Sequence, residues 1–328
     1  MPNPGRTCDS ETNILQGALD PVSVTRPGVS RRIGLLFVGI GAISCAAVLV
    51  RLADAPILVV AAYRLVIASA VLVPVSFCNS RHELVSLLTK APGIVFAAGT
   101  FLALHFALWI ASLSYTTVAS SVVLVTANPL FVALASYFLF GERLRPWTFA
   151  GIGIGVVGTV LIGRAAWVSG DSALLGNGLA LAAALAMAAY LLIGRRLRPT
   201  TALLPYSAAV FGVSALLLLG VVGILRLPVV GYDGQTYLAM VFLALVPQLV
   251  GHVTINWALR FLPATMITIA ILGEPVGASV LALLVLGEVP QMLEVVGGAL
   301  VLGGIGVAYG RGGLKANSPR PEAPGAGG

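Results

Sequence analysis

The residue pair in this sequence best suited to chemistry is an acid beside a proline inside an apolar run. Glu274-Pro275 lies in ILGEPVGASVLALLVL, and Asn128-Pro129 repeats the arrangement in VTANPLFVALAS. A proline in a helix removes a backbone donor and frees a carbonyl one turn earlier. A charge at mid-bilayer costs at least ~2.5–3.5 kcal/mol, so it tends to face a cavity or a partner. Glu274 can therefore carry a proton or a substrate cation, or it can pair with another residue at a packing kink. Arg64, in AAYRLVIASA, can meet a substrate carboxylate, pair with an acid or snorkel outward. Gln248, His252 and Asn256 are spaced by four, which puts them on one face of an α-helix. His105 and Trp109 make a shorter version of that stripe. Both stripes suit either a cavity wall or hydrogen bonds between helices. Tyr63 and Tyr190 offer aromatic walls or ordinary packing.

Other chemistries lack their residues. Gly153, Gly155 and Gly158 match G-x-G-x-x-G, but they sit in an apolar run with no preceding strand and no ribose-binding acid. There is no H-E-x-x-H, G-x-S-x-G, P-loop or C-x-x-C. The histidines (82, 105 and 252) have no second ligand at metal-binding spacing, and Cys8, Cys45 and Cys78 form no disulfide framework. A membrane enzyme that modifies lipids would gather acids or histidines at one face, whereas Asp54, Asp171 and Asp233 are dispersed. The expectation is no catalysis, no cofactor and no metal.

The elements that position these residues follow from composition. Of 328 residues only 9% are charged and 58% are hydrophobic, and the mean hydropathy is +1.00. A soluble domain carries roughly 25% charged residues, so a soluble globule is excluded. Disorder is excluded by the apolar content, and a barrel by the continuous rather than alternating apolar runs. Ten spans are expected: 33–50, 57–78, 92–112, 116–140, 147–163, 174–193, 203–225, 237–259, 263–286 and 291–310. Span 1 begins too far into the chain for an ordinary signal peptide. Glu274 then lies roughly 17 Å into span 9 and Arg64 roughly 10 Å into span 2. Residues 1–32 and 311–328 read as disordered tails. Fifteen Lys and Arg fall on one side, against Arg51, Arg164 and Arg226 on the other, so both termini are expected in the cytoplasm. The net charge of +7 is this topology signal and does not form a nucleic-acid patch.

The sequence also repeats itself at an offset of 146. Gly141-Glu142 maps to Gly287-Glu288, Pro129 to Pro275, Gly151 to Gly297 and Gly158 to Gly304, with no gap from residue 113 to 158. Glu142 and Glu288 end spans 4 and 9 and read as loop caps, and the glycines read as close helix crossings. Five spans per copy is an odd number, so the second copy enters the membrane inverted. Two inverted copies related by an axis in the membrane plane are a design of secondary transporters.

Arg64 in AAYRLVIASA, the stretch SLSYTTVASSVVLVTANPLFVALASYFLFGERL and the stretch ALRFLPATMITIAILGEPVGASVLALLVLGE resemble the ten-helix drug/metabolite transporter superfamily, in particular its EamA-type members. The resemblance implies an all-α polytopic membrane protein of two inverted five-helix repeats, 33–163 and 174–310. It also implies a secondary transporter, an exporter of small metabolites such as amino acids, working by alternating access in the inner membrane, with proton coupling an open option. The substrate is a small molecule and the surroundings are lipid; no nucleic acid is expected. Spans 3, 4, 8 and 9 are expected to line the cavity. Spans 5 and 10, rich in Gly, offer scaffold or homodimer contacts. The alternatives are a channel or structural membrane protein and, behind it, the lipid-modifying enzyme.

Overall fold

The computed structural model describes residues 29–140, 146–169, 171–197, 201–258, 271 and 273–310. Residues 1–28 and 311–328 of the tails, Glu142 and residues 263–270 of span 9 lie outside them, and residues 29–32 of the expected N-terminal tail instead begin a helix. The protein is an all-α polytopic membrane protein. Eight of its helices are long and apolar enough to cross a membrane, and two shorter apolar helices, Gly273–Leu286 and Met292–Ala308, complete the ten spans. Large apolar side chains such as Leu216, Phe138 and Leu284 stand exposed on the outside of the bundle. In a chain this apolar, that surface is the one that meets lipid.

The helices depart from the sequence reading in informative ways. Span 1 is two helices, Val29–Ser44 and Ala46–Leu52. Span 2 runs from Ile57 to Lys90, with non-helical backbone at Ser80. The connection read after residue 78 is therefore largely helical. Span 4 is broken into Val118–Val125 and Asn128–Phe140, so the break falls at Thr126-Ala127, immediately before Asn128-Pro129. Pro129 has no N–H for the Val125 carbonyl, and Asn128 Nδ2 donates to that carbonyl instead, at 3.1 Å. Span 8 is α-helical over Gly234–Leu243, π-helical over Ala244–His252 and α-helical again over Val253–Ala258. Pro247 sits inside the π segment. Its missing N–H and its ring are incompatible with a regular α-turn, and a widened turn accommodates them. The described part of span 9, Gly273–Leu286, includes Pro275.

The packing obeys the internal repeat. Spans 5 and 10 pack together, as do spans 2 and 7 and spans 4 and 9. Span 3 packs on span 6, and span 8 packs on span 1. Span 4 packs on span 6, and span 9 packs on span 1. Adding five to each span number returns the same set of contacts, which is the signature of a two-fold axis relating the copies. The glycines show it at atomic detail. A methyl group on Gly151 would collide with the Gly304 carbonyl, and one on Gly158 with the Gly297 carbonyl. The repeat exchanges 151 with 297 and 158 with 304, so these are one contact made twice. Spans 5 and 10 thus cross backbone to backbone within a single chain. Gly153, Gly155 and Gly158 all lie inside the helix Pro146–Ser169, which is no setting for a dinucleotide.

Candidate functional site

One end of the bundle is held by a polar network between the copies. Gly287, with φ +66°, closes span 9 in a conformation that suits glycine. The N–H groups of Gly287 and Glu288 then bond back to the Leu283 and Ala282 carbonyls. This turn delivers Glu288 to the first copy, where its carboxylate accepts from the Val118 N–H and stands 3.5 Å from Arg51 Nη2. Arg51 Nη2 also donates to the Thr116 carbonyl at 2.9 Å. Thr117 caps the helix that starts at Val118 by accepting from the Ser120 N–H. Its hydroxyl donates to Glu294 Oε1 at 2.6 Å, as does that of Ser120. Glu294 Oε2 reaches back to the Gln291 N–H, the acidic half of a capping box. Glu288 thus does more than cap its own loop, because it joins the two copies.

The centre of the bundle is built differently. A cavity of about 390 Å³ of empty space, of which about 50 Å³ is open to the centre of a water molecule, lies between the copies. Its walls include Arg64, His105, Trp109 and Asn128 from the first copy and Met187, His252 and Glu274 from the second. Six of the eight polar candidates named above therefore meet here. A seventh, Gln248, is fully buried and accepts from Arg64 Nε at 2.7 Å. The side chain of the eighth, Asn256, lies outside the described residues. Spans 3, 4, 8 and 9 all contribute, joined by Ile43 and Ala46 of span 1, Arg64 of span 2 and Met187 of span 6.

Arg64 anchors this centre. Only 1% of its surface is exposed. Its guanidinium carbon lies 4.1 Å from the centroid of the Phe106 ring and 5.6 Å from that of Trp109. Stacking on both rings is a strong placement for a desolvated cation. Arg64 therefore does not snorkel, and no salt bridge joins it to Glu274 among the described residues. His105 is oriented by Nδ1–H donating to the Ala183 carbonyl at 3.0 Å. A carbonyl can only accept, so Nε2 of the neutral ring is left as an acceptor. His252 meets the Phe106 ring edge-on at 5.8 Å. Asn128 spends one amide hydrogen on Val125 and still lines the cavity.

Three features escaped the sequence reading. Phe106 is the floor of the site, and the signal for it was only its position between His105 and Trp109. Pro247 marks the π segment, and a lone proline in an uncharged run was the available sign. Glu294 was legible as an acid three residues after Gln291 at a helix start. Two sequence candidates fall elsewhere. Tyr63 donates to the Val229 carbonyl at 2.7 Å, near the end of the bundle, and Tyr190 stacks on Tyr206. Among the described residues no group of three His, Cys, Asp or Glu could hold a metal ion.

A closed bundle of inverted repeats around a polar, charged central cavity defines a membrane transporter. The family comparison agrees. The model of the EamA-like transporter family matches residues 32–164 and again 174–310, and the chain belongs to that family. This membership places it in the drug/metabolite transporter superfamily. The chain is 27% identical over 205 residues to a Clostridium kluyveri protein described as an uncharacterized transporter, covering 60% of this chain and 65% of that one. It is 25% identical over 197 residues to the uncharacterized transporter YdfC of Bacillus subtilis, covering 59% and 62%. In both cases the match spans less than two thirds of the relative's length. A solved crystal structure of a protein aligns with a TM-score of 0.62 at 24% identity, over 86% of this chain and 97% of that one, and it speaks for the fold.

Proposed function

We propose that this chain is a secondary transporter that exports small metabolites such as amino acids across the inner membrane by alternating access, with Glu274 as the proton carrier. The observation that carries this reading is the central cavity, which Arg64 and Glu274 both line with no salt bridge between them among the described residues. Opposite charges held apart in a cavity between the copies suit a small polar solute entering between them. The Lys and Arg balance orients the reading, with both termini in the cytoplasm and the Arg51 end facing outward. On this orientation the Arg51, Glu288 and Glu294 network is an outer gate in its closed position. Opening that gate while the cytoplasmic end closes would carry the solute out.

The test is counterflow in proteoliposomes loaded in turn with amino acids, nucleobases, sugars and cationic amines, with trace label outside. Saturable accumulation with one class establishes a carrier. Glu274→Gln should keep counterflow at constant pH and lose its dependence on a pH gradient. Full pH-driven transport in that variant removes the proton role.

A further inference from the structure

We infer that the cavity contains a carboxylate subsite formed by the Arg64 guanidinium and the Trp109 indole, with Gln248 as the residue that positions Arg64. This deepens the transporter reading and rests on it.

Among the described residues, two buried donors of cavity-lining side chains have no hydrogen-bond partner, Arg64 Nη1 and Trp109 Nε1. Arg64 is 1% exposed and Trp109 4%. Native proteins pair nearly all such groups, and each exception calls for an explanation. The aromatic stacking does not supply one. Phe106 and Trp109 hold the guanidinium through their π faces, at 4.1 and 5.6 Å from its carbon, and a ring face is a weaker partner for an N–H than an oxygen. Gln248 accounts for one of the guanidinium N–H bonds, the one from Nε. The carboxylate of Glu274 shares the cavity but forms no salt bridge with Arg64. The Arg64 guanidinium and the Trp109 indole both line the cavity, and each keeps an unanswered N–H, two donors and no acceptor. The group that such a pair recognises best is a carboxylate, and charge assistance strengthens the Arg64 bond.

The same geometry assigns a role to the π segment. Gln248 comes from Ala244–His252 and is fully buried. Among the described residues its amide nitrogen has no partner, so the residue serves Arg64 through its oxygen. That single bond fixes the rotation of the guanidinium and so determines which nitrogens remain open. Glu274 lines the same cavity and can receive a cationic group, so the site suits a compact zwitterion with its carboxylate at Arg64. His105, also on the lining, adds Nε2 as a further acceptor.

The test uses the purified full chain at neutral pH and titrates L-alanine, L-leucine and L-phenylalanine, each as the free acid and as the methyl ester. Binding is read by calorimetry and by the shift in Tm. At least one acid should bind, about tenfold or more tighter than its ester. Arg64→Lys and Gln248→Glu should each reduce that preference about tenfold, the second by giving Arg64 a carboxylate inside the protein. Trp109→Phe, which keeps the ring and removes the N–H, should reduce it several-fold. A purely structural role for these residues would lower Tm without changing the acid-to-ester ratio. Esters that bind as tightly as acids, a ratio unmoved in the variants, or no binding of any acid would each overturn the subsite. If the same protein then shows saturable counterflow with an amine or a neutral solute, the transporter reading stands without the subsite. If it shows none with any class, both fall.

Discussion

At the Arg51 end of the bundle, Glu294 accepts hydrogen bonds from Thr117, Ser120 and Gln291, and Glu288 is matched by Arg51 and the Val118 N–H. At the centre, Arg64 and Trp109 bury donors that no group among the described residues accepts from. Both regions join the two repeats, and both are built of polar groups in an apolar bundle. They differ in whether the polar groups answer one another. A satisfied network contributes to stability, whereas an unsatisfied buried donor costs about 1–3 kcal/mol. The first arrangement holds two halves in one relative position. The second is destabilised until something enters, as binding sites commonly are. The centre differs in combining unanswered donors with a cavity that a solute could fill.

The contrast can be broken by mutation, and the largest expected effect is at the centre. Arg64→Met should lower transport at least ~100-fold while the unfolding midpoint changes little, because removing a desolvated, incompletely paired cation offsets the stranding of Gln248 Oε1. Thermal unfolding in detergent beside counterflow checks this, and a collapse of the midpoint would make Arg64 structural. Next is Glu294→Ala at the other end. It strands the Thr117 and Ser120 hydroxyls and should cost roughly 2–3 kcal/mol in denaturant unfolding. A variant as stable as the parent would dissolve the contrast. Trp109→Phe should weaken substrate binding several-fold and change stability by less than about 1 kcal/mol, since its N–H has no partner to lose. The smallest effect belongs to Arg51→Gln. The Arg51 side chain is 34% exposed, and an exposed ion pair contributes only about 0.2–1 kcal/mol. That small loss should shrink further as salt is raised.

How far the sequence foretells this arrangement depends on what each feature depends on. Span number and the inverted repeat are legible because they rest on local hydrophobicity and on matches such as Pro129 with Pro275 and Gly158 with Gly304. The break at Asn128 is legible because proline chemistry is local. The Arg64–Gln248 bond is not, because its partners lie 184 residues apart and span 8 leaves α-helical geometry before reaching Gln248. A spacing of four in the sequence assumes an α-helix, and the π segment breaks that assumption. Phe106 was missed for a different reason: one aromatic residue in an apolar span carries no mark of which face it takes. Glu294 was passed over because acids at helix starts are common.

The crossing of spans 5 and 10 has a consequence for energetics. Gly151 on Gly304 and Gly158 on Gly297 relate the two copies as equals. A chain of two identical copies would have inward-open and outward-open forms of equal free energy, since exchanging the copies turns one into the other. This chain has departed from that equality within the gapless stretch of the repeat. Glu274 stands opposite Asn128 and Glu294 opposite Thr148. Each such difference weights one form over the other, and a bias of about 1.4 kcal/mol is already a tenfold ratio. The resting state of the protein is in that sense written in the few positions where its halves disagree, and restoring Asn at 274 or Thr at 294 would move it back towards even odds.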